Sequence, residues 1–424
     1  MAKYTEMDRA ALQAEFAAVQ AEYEALKARG LSLDMSRGKP GSDQMDLSWQ
    51  MFDSISHMSG YKNETGVDCR NYGGLDGLPE LKNLFSQILE VAPEQIIVGG
   101  NSSLNMMYDT VAQAMTHGFG GAQPWLLQQG VKFICPAPGY DRHFMICEHF
   151  GIEMIPVALN DDGPDMDAVR ELVKDEKVKG MWCVPKYANP NGITYSDDVV
   201  RQLAALRPAA KDFRIFWDNA YVIHHLEEPG DSLLNIYEEC KKQGNEDLVI
   251  EFTSTSKITF PGAGVAAEAA SPRNVAELKS RMGFQTIGPD KLNQLRHARC
   301  FKNMEDLTAH MRHHAAVLRP KFAVVLQGLE SLADTGIAQW KKPKGGYFIS
   351  LFTLPGTAKR AVALCREAGL VLTGAGATYP YGKDPADSNI RIAPSYPGVE
   401  ELRSATALLC VSLKYAALEH LLAK

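Results

Sequence analysis

Residues 248–264 read LVIEFTSTSKITFPGAG. An apolar run gives way to Thr253, Ser254, Thr255, Ser256 and Thr259, with Lys257 among them, and then to Pro261, Gly262 and Gly264. The apolar part suits a buried strand and the Pro/Gly part a turn. Most lysines are solvated surface charges that need no such setting. The rest of the chain has to decide what this one does.

Working outward, the same punctuation recurs. QIIVGG (95–100), VKFICPAPG (131–139), IEMIPVAL (152–159), VKGMWCVP (178–185), FRIFWDNA (213–220) and GVAAEAAS (264–271) alternate with amphipathic segments of helix length. Short apolar runs bounded by Gly or Pro suit strands buried on both faces, as in a helix-covered sheet. The expectation is an α/β fold with a largely parallel sheet over roughly 91 to 270. After about residue 300 come a long helical stretch, GGYFISLF (345–352), a helix around 358–368, LVLTG (370–374), NIRIAPSYP (389–397) and a last helix. These suit a smaller α+β part. Leu12, Phe16, Val19, Tyr23 and Leu26 mark an amphipathic N-terminal helix that Gly30 can end, and which docks on something. The domain reading is a large domain over 51–300, with 1–50 and 301–424 forming the small one.

Composition narrows the function. The chain has 424 residues, 45% hydrophobic and 22% charged, with a formal charge of -7. That is an ordinary globular composition, and the acidic balance argues for small-molecule chemistry over a broadly basic nucleic-acid surface. Eight cysteines lie far apart without metal-ligand spacing and read as reduced core thiols. No secretory apolar region opens the chain, and no continuously apolar stretch approaches the ~18 residues of a membrane span. A cytoplasmic protein without membrane or nucleic-acid partners is expected.

In open α/β sheets ligands collect beyond the carboxyl ends of the strands. After QIIVGG come Asn101, Ser102 and Ser103, where hydroxyls, N–H groups and a helix dipole could hold a phosphate. Simple helix capping explains them as well. After VKFICPAPG come Tyr140, able to stack on a planar ring, and His143, able to orient a carboxylate. Asn189 lies in the turn NPNG, and Asp218, with Tyr221 behind it, ends a strongly apolar strand. A carboxylate so placed is a helix cap or the partner of a cation. Lys257 follows the next strand. Arg391, between Ile390 and Ile392, offers a guanidinium fork for a carboxylate or is an exposed edge-strand charge. Five strand ends together present donors for a phosphate, a ring stacker, an amide, an anion and an amine, which is what a phosphorylated heteroaromatic aldehyde needs.

The ordered set NYGGLDGL (71–78), GGNSSLN (99–105), PGYDRH (138–143), NPNG (189–192), WDNAY (217–221), STSK (254–257) and NIRIAPSYP resembles fold-type I pyridoxal-phosphate aminotransferases of class I/II. Within them it is most similar to the divergent bacterial aspartate aminotransferase subgroup, the MocR-like aminotransferases. The resemblance covers nearly the whole chain. It implies that Lys257 carries pyridoxal 5'-phosphate as an internal aldimine, in a ping-pong transfer of an α-amino group from aspartate or glutamate to a 2-oxo acid. It further implies that Asp218 faces the pyridinium nitrogen with His143 behind it, that Asn189 and Tyr221 hold the ring hydroxyl, and that Tyr140 stacks on the ring. Asn101, Ser102, Ser103, Ser254 and Ser256 resemble the phosphate contacts. Tyr72 resembles the tyrosine supplied by the other subunit of a homodimer with shared sites. Arg391, with Asn189 and the backbone near Gly38, resembles the substrate α-carboxylate site.

Two positions depart from the family pattern. Val265 stands where an arginine usually meets the phosphate, and no arginine is evident for a second substrate carboxylate, for which Lys291, Arg37 and Arg142 are the candidates. A β-lyase or decarboxylase of the same fold is the alternative enzyme. A cofactor-sensing regulator would need a DNA-binding domain ahead of this region, and only about 30 residues precede LSLDMSRGKP.

Overall fold

The computed structural model describes residues 3–424, so Met1 and Ala2 of the N-terminal part lie outside the description. Each apolar run becomes a strand of one eight-stranded sheet. In spatial order the strands are Ile96–Val98, Ala266–Ala270, Val249–Ser254, Arg214–Asp218, Val178–Cys183, Lys132–Ala137, Glu153–Asn160 and Gly163–Pro164. The five from Val249–Ser254 to Glu153–Asn160 are mutually parallel. Ala266–Ala270 runs against both its neighbours, and the short Gly163–Pro164 strand, which the sequence pattern does not announce, turns back on Glu153–Asn160.

The strands are buried on both faces because alternate residues feed two separate cores. Phe133, Cys135, Trp182, Phe216 and Phe252 pack with the helices Ser103–His117, Asp141–Phe150 and Pro272–Gln285. Ile134, Met181, Cys183, Ile215 and Trp217 pack on the opposite side with Met166–Leu172, Asp197–Ala204 and Ile236–Lys242. Among the charged residues buried on these strands are the carboxyls Glu251 and Glu268. Burial raises each carboxyl to a pKa of about 8, so both are carried largely neutral at pH 7.

A second sheet, ordered Ala338–Trp340, Ile349–Thr353, Asn389–Ile392, is antiparallel throughout. Leu33–Asp34 pairs in parallel with Leu370–Val371, which ties the N-terminal segment to the C-terminal part. The helix Arg9–Lys27 docks on the helix Val399–Leu422, where Phe16 and Tyr23 meet the ring of Tyr415 edge-on. That last helix stands apart by its length and hydropathy. Among the described residues it is the one helix long and apolar enough to cross a membrane, yet 61% of its apolar window is buried inside the molecule. Its all-round hydrophobicity serves contacts on several sides, with Arg9–Lys27, Met304–Leu329 and Ala358–Glu367. All eight cysteines are free, and seven are buried.

Candidate active site

The segment 253–264 leaves its strand and is tied down by its own hydroxyls. Thr253 Oγ1 donates to the Asn219 carbonyl (3.2 Å), Ser254 Oγ to Ser256 Oγ (3.1 Å), and Ser256 Oγ to the Asn101 carbonyl (2.9 Å). The Val265 amide donates to Thr255 Oγ1 (2.8 Å), whose hydroxyl lies 3.0 Å from His297 Nε2. His297 Nδ1 lies 2.9 Å from the Asn293 carbonyl, so Nδ1 carries the ring proton and Nε2 accepts. Burial lowers that imidazole to about 4, in keeping with a neutral ring. The Asn293 amide donates to the carbonyls of Ala263 and Gly264. The helix Lys291–Cys300 thus holds both ends of the loop that presents Lys257.

Lys257 is half-buried, its Nζ 5.0 Å from the centre of the Tyr221 ring. Burial lowers its pKa and the charge of Asp218 partly offsets this, so the neutral, nucleophilic amine is favoured relative to a free lysine. Asp218 closes the adjacent strand and is itself buried. His143 Nε2–H donates to Asp218 Oδ2 at 3.0 Å, and the imidazole is stacked on Trp182 at 4.4 Å. The other carboxylate oxygen, Oδ1, is buried without a partner. A lone buried acceptor costs stability unless a ligand supplies a donor.

These groups line one cavity of about 640 Å³. Asn101, Ser102, Ser103, Ser254 and Ser256 lie on its wall with Lys257, and so do Tyr140, Asn189, Asp218, Tyr221, Gly38 and Arg391. Ser102 is the N-cap of the helix Ser103–His117 but its hydroxyl makes no capping bond, which leaves it free for a ligand. Burial raises the phenols of Tyr140 and Tyr221 well above the usual range, so both are neutral donors.

Arg391 is not an exposed edge charge. It is 7% exposed, its guanidinium 5.0 Å from the Phe348 ring centre. It donates to Asp141 Oδ1 (2.8 Å), Asn189 Oδ1 (3.2 Å) and Thr373 Oγ1 (3.1 Å).

Other candidates fall elsewhere. His143 stands behind Asp218, outside the cavity lining. Tyr72 is 82% exposed and away from this chain's own cavity. Lys291 is also outside it, with its Nζ donating to the Gly73 carbonyl next to Tyr72 at 2.5 Å. Arg37 and Arg142 line the cavity together with Lys39, and among the described residues none of the three has an ion-pair partner. Val265 is buried in an apolar cluster with Ile258 and Val98, so no basic side chain occupies that corner. Sequence reasoning missed Asp141, Thr373 and Trp182. Asp141 follows a strand end, like the residues that were singled out, whereas nothing local marks Thr373 or Trp182.

A helix-covered, mostly parallel sheet with an amine, a carboxylate and a guanidinium at its strand ends is the arrangement of fold-type I aminotransferases. The family model for aspartate aminotransferase matches residues 7–424. The chain is 48% identical to an aspartate aminotransferase of Corynebacterium glutamicum over 397 residues, 93% of this chain and 92% of that protein. It is 46% identical to a putative aminotransferase of Mycolicibacterium smegmatis over 423 residues, 99% of each chain. The crystal structure of an aspartate transaminase from Corynebacterium glutamicum superposes with a TM-score of 0.96 at 45% identity, covering 99% of both chains. The chain belongs to the aspartate aminotransferase family, and it is an aminotransferase.

Proposed function

We propose that this aminotransferase uses pyridoxal 5'-phosphate at Lys257 to move an α-amino group between aspartate or glutamate and a 2-oxo acid. The observation that carries the reading is the unpartnered Asp218 Oδ1, buried in the cavity wall that also holds the Lys257 amine. A protonated pyridine nitrogen is the donor this oxygen lacks. The cofactor, when bound, supplies an electron sink conjugated to the substrate α-carbon.

The chain's residues supply the rest. Lys257 Nζ would hold the cofactor at its aldehyde carbon, and as the amine nearest the reacting centre it would move the substrate's α-proton. Asp218, oriented by His143, keeps the ring nitrogen protonated. Tyr140 covers the ring face, while Asn189 and Tyr221 hold the ring hydroxyl. Asn101, Ser102, Ser103, Ser254 and Ser256 take the phosphate through hydroxyls and helix-terminal amides, without an arginine at position 265. Arg391, with Asn189 and the backbone at Gly38, takes the α-carboxylate. The unpaired cations Arg37, Lys39 and Arg142 favour a substrate with a second carboxylate. The 48% identity to a named aspartate aminotransferase supports the same substrate class.

In a homodimer, exposed Tyr72 would reach the phosphate held by the second copy. Large apolar side chains left exposed on the single chain, Trp49, Phe52, Met58, Phe284 and Ile287, are available for burial against a second copy. Sedimentation equilibrium of the cofactor-loaded protein is expected to give twice the mass of one chain, and a monomeric mass counts against shared sites.

Incubation with aspartate and 2-oxoglutarate should yield oxaloacetate and glutamate. Alanine and carbon dioxide without glutamate would indicate a β-decarboxylase instead. Lys257→Ala should lose both turnover and the cofactor adduct trapped by borohydride, and an adduct found on another lysine would reject the assignment.

A further inference from the structure

The guanidinium of Arg391 has five N–H donors, and their allocation is informative. Both Nη1 hydrogens are taken, by Asp141 Oδ1 at 2.8 Å and Asn189 Oδ1 at 3.2 Å, and one on Nη2 by Thr373 Oγ1 at 3.1 Å. Nε is buried and has no partner, so an incoming ligand cannot touch it without rearrangement. One N–H on Nη2 is left. A carboxylate is gripped well by arginine when it takes two parallel N–H groups, and that grip is unavailable while Asp141 holds Nη1.

We propose that Asp141 is a built-in competitor for the substrate: its carboxylate occupies Arg391 in the free protein and sets amino-acid affinity by having to be displaced. The inference rests on the reading of Arg391 as the α-carboxylate site. Three observations favour displacement over a fixed structural pair. Asp141 belongs to the first turn of the helix Asp141–Phe150 and lines the same cavity, so its side chain faces the ligand space. Its side chain is 26% exposed against 7% for that of Arg391, so the anion can turn to water while the cation stays. Arg37, Lys39 and Arg142 line the same cavity without ion-pair partners among the described residues, and a displaced carboxylate would meet positive charge there. The exchange on Arg391 is one anion for another, which leaves its charge compensated throughout.

A competitor and an orienting partner predict opposite signs. If Asp141 competes, removing its charge strengthens carboxylate binding. If Asp141 merely holds Arg391 in place, removing its charge weakens it. The test is calorimetric titration of the cofactor-loaded protein with succinate, an unreactive dicarboxylate, using the wild type, Asp141→Asn and Asp141→Ser. Both variants keep a short polar side chain in the helix first turn, so a folding defect peculiar to one does not decide the result. Each is expected to bind succinate roughly 2- to 5-fold tighter, the scale of one partly exposed ion pair. Their KM for the amino acid should fall by more than kcat changes, because the contact is made equally in the ground and transition states. Unchanged or weaker binding in both variants, with binding lost in Arg391→Ala, would overturn the competitor role alone. Undiminished binding in Arg391→Ala would overturn the carboxylate-site reading beneath it.

Discussion

At the residue scale, Asp218 concentrates the chemistry of the site. One carboxylate oxygen is committed to His143 and the other is buried and unsatisfied. The stacked Trp182 keeps His143 from turning away. Asp218→Asn replaces an anion by a neutral amide of the same shape, so the pocket should persist while, on the proposed assignment, the ring nitrogen of a bound cofactor would lose the charge that keeps it protonated. We expect kcat to fall by roughly 10²- to 10⁴-fold, the range of acid–base contributions, with cofactor still retained. The absorbance of the bound cofactor and steady-state rates would check this, and activity within a few-fold of wild type would contradict it. Asp218 was legible because it ends an apolar run, and Lys257 because it stands among hydroxyl residues just after one. Thr373 was not, since its role exists only through contact with Arg391, 18 residues away in sequence.

At the element scale, the decisive unit is the loop 253–264 with the helix Lys291–Cys300 beneath it. Thr255 Oγ1 accepts from the Val265 amide and meets His297 Nε2, so one hydroxyl closes the loop on itself and on the helix. Thr255→Val keeps the shape and leaves a buried N–H without its partner. A cost of about 1–3 kcal/mol is expected, read as a lower urea midpoint. A rise in KM is not expected, because Thr255 does not line the cavity. A midpoint equal to the wild type would show that the hydroxyl is not a tie. The strands were legible from apolar runs punctuated by Gly and Pro. The buried Glu251 and Glu268 were not explained by that pattern, since their burial depends on which neighbours cover them.

At the scale of the whole molecule, buried titratable groups limit stability from both sides of neutrality. Burial lowers His297 from 6.5 to about 4 and His314 from 6.5 to about 3. Below pH 6.5 the unfolded chain takes up protons that the folded one refuses, so their contribution is complete above 6.5 and is lost as pH falls toward those values. Burial raises Glu268 from 4.5 to about 8, which acts in the opposite sense. Its contribution is complete below 4.5 and is lost as pH rises through 8, where the unfolded state ionises and the folded one resists. Urea unfolding from pH 4 to 9 should therefore show a maximum between these limbs. Glu268→Gln should flatten the alkaline limb by up to about 5 kcal/mol. An unaltered limb would show that Glu268 does not titrate against burial.

The sequence by itself determined the layered α/β architecture, the positions of most strands and the candidate groups at their ends, because burial on two faces and the termination of a strand are local properties of composition and order. Only the tertiary structure decided that Arg391 is buried and already engaged by Asp141, that Lys291 holds the Gly73 carbonyl instead of lining the cavity, and that the most apolar helix is a core element. Those outcomes depend on which distant groups reach hydrogen-bonding or van der Waals contact. Such distances are set by the packing of the whole chain and leave no mark in the neighbouring residues.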